Sequence, residues 1–459
     1  MKKPNIIQTV VSVAACKFTR LILRKTGRGG TAVPGIVAMK LAGNILAAVS
    51  EGMQIVVVTG TNGKTTTCNM IEHAITSAGH KCLRDKSGAN MLHGIAADLI
   101  CNATWLGRSR YPYAVIECDE AALKLLVRYL EPKVIVVTNL FSDQVDRYGG
   151  VLNTLQEIRT GVEHSPASTL VLNTDESQSA SLAHNVPNKV IWYGMEKTVG
   201  LQGNVDMTDA GTCPVCGSAY EYEYHIYAHL GGYHCPKCGH VRQTPDVAVT
   251  AIDAVTASGS RIHVRAEGVV HEARVALPAV YNVYNAAAAI AAGMAVGIGA
   301  RAAIDSLATV KSSFGRLETF DLDGIRLQMI LVKNPAGCNQ AFSYVTGLDE
   351  DFTAVLALNN RTGDGLDFSW IEDADYEKLL ADPHLKKLFV CGDRAAELME
   401  RLERAGASAP LAEIVKEYPV LLEKLKQENR PVYAMPNYTA MMDMRQVLVP
   451  ATGNKEFWE

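Results

Sequence analysis

A glycine-rich stretch near the start of the chain has the residue types of a phosphate-binding loop. The segment VVVTGTNGKTTTCNM, residues 56–70, leads from an apolar, β-branched run through two glycines into a Gly-Lys-Thr triplet. Backbone N–H groups at a helix start favour an anion, a lysine there reaches the β- and γ-phosphates, and the next hydroxyl coordinates Mg²⁺. The predicted ATP-binding residues are Gly60, Thr61, Asn62, Gly63, Lys64, Thr65 and Thr66.

This loop is shorter than the common phosphate loop, whose pattern is G-x-x-x-x-G-K. Only Thr61 and Asn62 separate its two glycines. A glycine-rich turn with a solvated lysine is the alternative interpretation. The strand-like run Ile55–Thr59 in front of the loop and the helix predicted from Lys64 to Gly79 favour a phosphate site.

A magnesium ion on the phosphates needs further oxygen ligands, usually from a carboxylate at another strand end. The segment YAVIECDEA places Glu117 at the end of a predicted strand and Glu120 just beyond it. Thr65 and Glu117 are therefore the predicted magnesium ligands, and Glu120 is the second choice for the carboxylate ligand. A solvated acidic turn is the alternative.

The segment TNLFSDQVDRYGG follows the next predicted strand. Its charged residues Asp143, Asp146 and Arg147 are expected above the carboxyl edge of the sheet, where ligands bind in folds of this type.

Two C-x-x-C pairs predict a structural zinc site. In CPVCG and CPKCG, eighteen residues separate Cys216 from Cys235, and this pattern supplies thiolates for tetrahedral Zn²⁺. Redox-active pairs are the alternative. The predicted ligands are Cys213, Cys216, Cys235 and Cys238, whereas His225, His229, His234 and His240 are assigned to the surface. Between the pairs the chain carries Glu221 and Glu223 but no Lys or Arg, so no nucleic-acid partner is expected.

Length and composition set the broad class. A chain of 459 residues with 48% apolar content is long enough for two or three domains. Lys and Arg number 44 against 48 acidic residues, a net charge of −4, which argues against a dedicated nucleic-acid binder. Eleven scattered cysteines fit a reducing cytosol better than a disulfide framework.

Apolar strands alternate with helices from Met53 onward, which predicts a parallel sheet covered on both faces. The expected organisation is an N-terminal helical segment at 1–50, a central ATPase domain at 51–312 with a zinc ribbon inserted at about 205–245, and a smaller α/β domain at 313–459.

The first 25 residues predict an amphipathic helix, because apolar side chains recur at helical spacing. A signal peptide is disfavoured since Gln8 and Ser12 interrupt the apolar run. No segment has the uninterrupted apolar length expected of a membrane span. The basic residues of the helix allow contact with anionic lipid, but packing on the protein's own core is the favoured interpretation.

Five features together resemble the Mur ligase family: the loop GTNGKTTT, the strand-terminal Glu117, DQVDRYG, the helix start YNVYNAAAA and the linker FGRLE. The resemblance implies a central ATPase domain, a C-terminal Rossmann-like domain, and activation of a carboxylate by ATP as an acyl phosphate that an amine attacks. It also implies that Asn285 lies near the nucleotide or its metal. Without the resemblance, Asn285 is equally well interpreted as a polar residue at a helix end. Only about 50 residues precede the loop, too few for a UDP-sugar domain.

Four features resemble the branch of this family that amidates lipid II: the inserted ribbon and the segments NPAGCNQ, NNRTGDGLDFSWIEDADYEKL and MPNYTAM. The resemblance implies lipid II as substrate and a GatD-type glutaminase subunit as partner. It also implies that Asp367 reaches the partner's active site and orients its histidine, with Asp364 as the alternative. Ordinary loop or helix-capping aspartates remain a further interpretation, and Leu366 stands where the family often has Arg.

The sequence thus predicts an ATP-dependent carbon–nitrogen ligase with ATP, Mg²⁺ and structural Zn²⁺, in which Lys64, Asn285 and Asp367 serve catalysis. The alternatives are another amino-acid ligase of Mur or folylpolyglutamate type and a zinc-ribbon ATPase that binds nucleic acid. The expected location is the cytoplasm, with attachment to the inner face of the plasma membrane as an open alternative.

Overall fold

A computed structural model describes residues 3–26, 31–85, 88–141, 150–199, 211–227, 229–312, 315–361, 363–364 and 369–453. Its helices are α1 (Ile6–Lys25), α2 (Val33–Leu41), α3 (Ile45–Val49), α4 (Lys64–Ser77), α5 (Leu92–Asn102), α6 (Leu123–Leu126), α7 (Val151–Glu163), α8 (Ser177–Ala180), α9 (Val280–Ala295), α10 (Ala300–Ser306), α11 (Pro335–Val345), α12 (Tyr376–Leu380), α13 (Ala395–Arg404), α14 (Tyr418–Glu428) and α15 (Tyr438–Thr452). Short 3₁₀ helices span Ser181–Ala183, Lys197–Val199, Leu307–Thr309 and Ser369–Asp373.

The strands form one large sheet, one smaller sheet and a hairpin. They are β1 (Gln54–Thr59), β2 (Cys82–Arg84), β3 (Tyr113–Glu117), β4 (Val134–Val137), β5 (Thr169–Asn173), β6 (Val190–Met195), β7 (Glu221–Tyr227), β8 (Leu230–His234), β9 (Val247–Thr256), β10 (Gly259–Ala266), β11 (Val269–Val275), β12 (Arg316–Leu322), β13 (Ile325–Ile330), β14 (Phe352–Ala357), β15 (Leu385–Cys391), β16 (Ala412–Ile414) and β17 (Val432–Pro436).

The larger sheet has nine strands in the order β11-β10-β9-β6-β5-β4-β1-β3-β2. Strands β2, β3, β1, β4, β5, β6 and β9 pair in parallel, as predicted, but β10 and β11 are antiparallel to their neighbours. The expectation of a wholly parallel sheet is therefore wrong at this end. The connections from β9 to β10 and from β10 to β11 are tight turns, and tight turns join only antiparallel strands.

The register of the central strands brings three chain segments to one edge of the sheet. Strand β1 pairs with β3 on one side and β4 on the other, so that Val58 lies opposite Glu117 and Thr59 opposite Val137. All three strands run in the same direction. The loops that follow them therefore start side by side at the carboxyl edge.

Helices cover both faces of this sheet. On one face, Val56 and Val58 pack with α4 and with the alanine-rich α9. On the other face, Ile55 and Val57 pack with the N-terminal helices and α5. The alternation along β1 explains the two cores, since successive side chains of a strand point to opposite faces.

Helix α1 packs on the protein along only one face. Asn5 caps it by accepting a hydrogen bond from the backbone N–H of Gln8, and its buried residues are Thr9, Ser12, Val13 and Cys16. The opposite face is exposed, so the expectation that the helix packs mainly on the core is wrong for that face. Among the described helices α1 alone has the length and composition of a membrane span, and only 22% of its most apolar 18-residue stretch is buried.

The smaller sheet has six strands in the order β12-β13-β17-β14-β15-β16. Only β12 and β13 pair antiparallel; the remaining pairs are parallel. The buried guanidinium of Arg445, on α15, forms an ion pair with Glu318, on β12. This contact joins the last helix to the first strand of the sheet.

Candidate functional site: a phosphate loop at the edge of two sheets

The phosphate loop packs so closely against its neighbours that both of its glycines are required. Gly60 has φ 118°, and a Cβ there would lie 2.5 Å from Thr138 Oγ1. Gly63 has φ 84°, and a Cβ there would lie 2.3 Å from Asn285 Oδ1. Positive φ and the lack of space both exclude a side chain at these positions. The loop is thus held in one conformation by contacts on two sides.

Residues at the end of β4 hold the middle of the loop. Asn139 accepts a hydrogen bond from the backbone N–H of Asn62 at 2.9 Å and donates to its carbonyl oxygen at 3.1 Å. The hydroxyl of Thr138 donates to the same carbonyl at 2.7 Å. The buried Asn62 Nδ2 has no hydrogen-bond partner within the part of the chain that the structure describes. A buried donor without a partner at the mouth of a cleft indicates a ligand-binding position.

Lys64 lies at the first position of α4 and is paired with a buried carboxylate. Its ammonium contacts Glu120 Oε1 at 2.7 Å and also donates to the carbonyl of Gly60. Burial raises the pKa of Glu120, but the charge of Lys64 and their hydrogen bond outweigh it, so that the pKa lies below its usual value; Lys333 lowers it further. Glu120, the reserve candidate for the metal, is therefore a charged partner of the lysine in this structure.

The two predicted magnesium ligands are in direct contact. Thr65 Oγ1 donates a hydrogen bond to Glu117 Oε2 at 2.7 Å, next to the start of α4. Mg²⁺ prefers oxygen ligands and is usually held by one or two protein groups together with phosphates and water. This oxygen pair beside the phosphate loop fits that donor set.

Asn285 is brought to the loop from a distant part of the sequence. Its Oδ1 accepts a hydrogen bond from Thr67 Oγ1 at 3.3 Å, and its Nδ2 donates to Asn282 Oδ1 at 3.0 Å. The bond to Thr67 joins residues 218 positions apart. Asn285 is nearly buried, so it is fixed by α9 rather than by solvent contacts.

A cleft of about 520 Å³ opens beside the loop, between the two sheets. The central part of the chain contributes Asn62, Gly63, Thr66, Tyr281 and Asn285, and the C-terminal part contributes Arg316, Leu331, Gly337 and Gln340. A neighbouring cleft of about 360 Å³ shares the loop and adds Phe141, Asn173, Leu230 and Tyr284. The cleft is therefore built jointly by both parts of the chain.

The cysteine quartet is assembled as predicted from its spacing. The four sulfur atoms lie within 4.8 Å of one another. Cys213 and Cys238 are 3.7 Å apart at sulfur, and Cys216 and Cys235 are 3.4 Å apart. In a tetrahedral site with Zn–S bonds of about 2.3 Å, the sulfur atoms lie about 3.8 Å apart. The cluster therefore fits a metal ion of this size.

The ribbon is connected to the cleft through a buried carboxylate. Arg242, just beyond the second cysteine pair, donates to Asp175 Oδ1 at 2.7 Å and to the carbonyl of Met195 at 2.7 Å. Asp175 Oδ2 accepts from the hydroxyl of Tyr284 at 3.1 Å. Burial raises the pKa of Asp175, although the charge of Arg242 opposes this shift. The network therefore connects the ribbon to the residue adjacent to Asn285.

Of the four histidines assigned to the surface, His229 is buried, and His225 and His240 are only partly exposed. His229 is buried, with its ring in edge contact with Phe141 and its Nε2 3.6 Å from Glu176 Oε1. Its assignment to the surface is wrong because the β7–β8 hairpin folds down onto the carboxyl edge of the larger sheet. His234 is half exposed and pairs with Glu221.

Several predicted residues lie outside the described part of the chain. These are Asp367, Leu366, Asp143, Asp146 and Arg147. Asp364 is described: it accepts hydrogen bonds from the backbone N–H of Thr439 at 2.8 Å and from its hydroxyl. Asp364 therefore caps the first turn of α15.

Sequence reasoning missed residues that form the walls of the site. Thr138 and Asn139 stand in the TNL segment that follows β4, and Asn173 ends β5, so their position after apolar strands was an available signal. No sequence pattern singles out Arg242 or Tyr284 for contact with Asp175. The charge of Lys333, in the C-terminal part of the chain, contributes to lowering the pKa of Glu120.

The contact between Gly63 and Asn285 yields a testable prediction. Gly63→Ala should raise the dissociation constant for ADP about tenfold or more, because the added methyl displaces Asn285 and strains the loop. Isothermal titration calorimetry measures the affinity. Gly79→Ala is the matched control, since Gly79 has φ 86° but open space around its Cβ position. It should cost about 1 kcal/mol of stability and leave ADP affinity unchanged. Equal loss of affinity in both variants would contradict the role given to the contact.

Comparison with known protein families agrees with this geometry. The profile of the Mur ligase middle domain matches residues 58–235, and that of the MurT ligase C-terminal region matches residues 331–441. Among solved structures, a pseudomurein peptide ligase type C from Methanothermus fervidus superimposes with a TM-score of 0.66 at 18% identity, covering 87% of this chain and 79% of that one. MurF ligase from Thermotoga maritima in complex with ADP gives 0.65 at 12% identity, covering 92% and 84%. At such identities the structural likeness concerns the fold alone.

Sequence relatives are more informative. The lipid II isoglutaminyl synthase (glutamine-hydrolyzing) subunit MurT of Streptococcus pneumoniae strain R6 is 31% identical over 445 residues, 96% of this chain and 97% of the relative. The subunit of the same description from Staphylococcus aureus strain COL is 30% identical over 438 residues, 95% of this chain and 97% of the relative. Because the alignment with both relatives is nearly full length and includes the phosphate loop and the C-terminal sheet, the chain belongs to the MurT family of Mur ligases.

Proposed function

We propose that the chain is the ATP-dependent ligase subunit of a lipid II isoglutaminyl synthase. It would activate the α-carboxylate of D-Glu in the lipid II stem peptide and combine it with ammonia to give D-isoglutamine. The observation that carries the proposal is the grouping of Lys64, Thr65, Glu117 and Asn285 at one sheet edge beside a cleft, in a chain related over nearly its full length to MurT subunits.

The reaction has two steps. First, a carboxylate oxygen of D-Glu attacks the γ-phosphorus of ATP, the bond from that phosphorus to the β,γ-bridging oxygen breaks, and ADP leaves. Then the lone pair of ammonia attacks the acyl carbon, the bond from this carbon to the phosphate oxygen breaks, phosphate leaves and the nitrogen loses a proton. Activation is needed because a free carboxylate has no good leaving group.

The protein contributes position and charge. The backbone N–H groups at the start of α4 and the ammonium of Lys64 hold the β- and γ-phosphates. Glu120 forms an ion pair with Lys64 beside the loop, and both side chains are nearly buried. The C-terminal part of the chain brings Arg316 and Gln340 to the opposite wall, where the positive charge of Arg316 would stabilise the transferring phosphoryl group.

Thr65 and Glu117 would hold Mg²⁺, which neutralises charge on the phosphates when bound. Their side-chain oxygens already lie within hydrogen-bond distance of each other. Asn285 positions the loop from the other side through Thr67 and Gly63. These residues act by orientation and electrostatics, which is the usual source of rate in phosphoryl transfer.

Reconstitution tests the proposal directly. With lipid II, ATP, Mg²⁺ and an ammonium salt, mass spectrometry should show that the stem peptide loses about one mass unit, the difference between a carboxyl and an amide group. Lys64→Ala should lower the rate to about one hundredth or less. Lys124→Ala is the control, because Lys124 forms an ion pair with Glu157 away from the loop, and it should retain activity.

Two outcomes would contradict the proposal. Incorporation of an amino acid in place of ammonia would indicate a ligase of the folylpolyglutamate type. ATP hydrolysis stimulated by DNA or RNA, without any change in lipid II, would indicate a nucleic-acid-dependent ATPase.

Nitrogen would come from a GatD-type glutaminase subunit, and we propose Asp367 as the residue that reaches its active site. The described neighbour Asp364 supports this choice indirectly, since its carboxylate is engaged in capping α15. A carboxylate that orients a catalytic histidine keeps the imidazole in the correct tautomer.

The two nitrogen sources separate this role from a role in ligation. Asp367→Asn should leave the ammonia-driven reaction unchanged and reduce the glutamine-driven reaction about a hundredfold or more. Asp364→Asn is the matched control: it should lower the melting temperature through the weaker cap of α15 and affect both nitrogen sources alike. Equal loss of both reactions in Asp367→Asn, at an unchanged melting temperature, would refute the assignment.

We also propose that the cysteine quartet binds one structural zinc ion. The sulfur separations support it, and four thiolates around zinc leave no open position for catalysis. The ion would stiffen the ribbon, and the ribbon would hold the cleft wall through Arg242, Asp175 and Tyr284. Zinc would thus support nucleotide binding without contact to the nucleotide.

Cys238→Ser tests this coupling, because Cys238 is exposed and its replacement leaves the core intact. Elemental analysis should show that the variant lacks zinc, and the variant should bind ADP more weakly. Cys82→Ser, outside the quartet, should change neither quantity. Arg242→Gln should retain zinc but weaken ADP binding in the same way. Full ADP affinity in a zinc-free protein would contradict the coupling.

A further inference from the structure

Helix α1 presents a row of large apolar side chains to solvent. Ile7 is 73% exposed and Phe18 is 64% exposed, and Val11, Leu21 and Ile22 are each about half exposed. These residues recur at helical spacing and lie opposite the face that carries Thr9, Ser12, Val13 and Cys16, which are buried. The row is an apolar stripe without a partner in the described protein.

A neighbouring turn extends the stripe. Trp105 is 59% exposed and Leu106 is similarly accessible. The turn is fixed against α1 because Lys17 Nζ lies 4.9 Å from the centre of the Trp105 ring and donates to the carbonyl of Ala103 at 2.6 Å. We call α1 together with residues 104–107 the amphipathic surface.

The N-terminal segment that forms this surface is strongly basic, although Lys3 pairs with Glu51 and Arg20 lies 3.9 Å from Asp98. Residues 1–50 contain eight Lys and Arg residues and no Asp or Glu, although the whole chain has a net charge of −4. Arg24 and Lys25 end α1, and Arg108 and Arg110 follow the exposed turn. A segment this basic in an otherwise acidic chain is complementary to an anionic surface.

The attachment of α1 to the protein determines how it can meet such a surface. The hydroxyl of Ser12 donates to the carbonyl of Ala38 on α2, and the helix contacts α5 through Cys16 and Ala97. A helix held along one whole face cannot cross a bilayer without leaving the fold. It can lie flat in the interface, with its apolar face in the lipid and its basic residues at the headgroups.

We propose that the amphipathic surface docks the protein on an anionic lipid bilayer. Large aromatic and aliphatic side chains enter the headgroup boundary, and the surrounding Lys and Arg pair with lipid phosphates. The inference goes beyond the proposed ligase activity and does not depend on it. For a lipid-linked substrate, docking would keep the carboxylate and the phosphate loop on the same side of the membrane.

Vesicle flotation of the full chain tests the proposal. The protein should float with vesicles of phosphatidylglycerol and phosphatidylcholine at low salt, and much less with phosphatidylcholine alone or at high salt. Phe18→Gln with Ile22→Gln should weaken partition onto the anionic vesicles about tenfold or more, because it removes apolar area while Gln retains helix propensity. Arg24→Gln with Lys25→Gln should reduce the salt dependence.

A matched control removes exposed apolar side chains elsewhere. Val269 and Val270, on the edge strand β11, are each about as exposed as Val11. Val269→Gln with Val270→Gln should leave vesicle binding unchanged. Equal flotation of this variant, the Phe18/Ile22 variant and the unchanged protein would overturn the proposal, as would failure of the unchanged protein to float.

Other occupants of the surface give distinct results. One alternative result is that the Phe18/Ile22 variant no longer forms a concentration-dependent dimer, or no longer co-elutes with the glutaminase subunit, while its vesicle binding stays the same. In that case the surface would bind another protein chain, and the proposal would be wrong.

Amidation of a lipid II analogue with a short, soluble tail separates docking from catalysis. Docking predicts the same rate for the variant and the unchanged protein; absence of amidation by both would contradict the ligase function and leave the docking result intact.

Discussion

The close approach of the phosphate loop to Asn285 is the constraint on which the site depends. Gly63 has positive φ, and the position of its missing Cβ is occupied by the Asn285 amide. On the other side, Gly60 leaves room for Thr138 and Asn139. The loop can therefore be short, because neighbouring strands and a distant helix give it the rigidity that a longer loop would have to supply itself.

The cleft is built by parts of the chain that contact one another only in the folded state. The central part of the chain supplies the loop and, from α9, Asn285; the C-terminal part supplies Arg316 from β12 and Gln340 from α11. The ribbon supplies Leu230 and, through Arg242, the support for Tyr284. Any relative movement of these parts changes the shape of the cleft. A site assembled in this way can exclude water when its walls approach, which strengthens every electrostatic contact inside it.

The predicted elements near the loop agree with the structure because local patterns determine them. The apolar β-branched run before Gly60 forms a strand, the residues after Gly63 form a helix, and the spacing of the C-x-x-C pairs matches the assembled sulfur cluster. Three expectations were wrong because the local sequence pattern does not determine the features concerned. The antiparallel strands β10 and β11, the burial of His229 and the exposed face of α1 each depend on which surface another segment covers.

Sequence by itself determined the chemistry that this protein can carry: a phosphate loop, carboxylates at strand ends and a thiolate quartet, since residue type and spacing fix donor atoms and local backbone geometry. Tertiary structure alone decided which of these groups meet. It paired Lys64 with Glu120, placed Asn285 against Gly63, connected the ribbon to the cleft and left one face of α1 uncovered. The reason is physical: such contacts join residues far apart in the chain, and their formation depends on the packing of whole elements rather than on the local pattern of either partner.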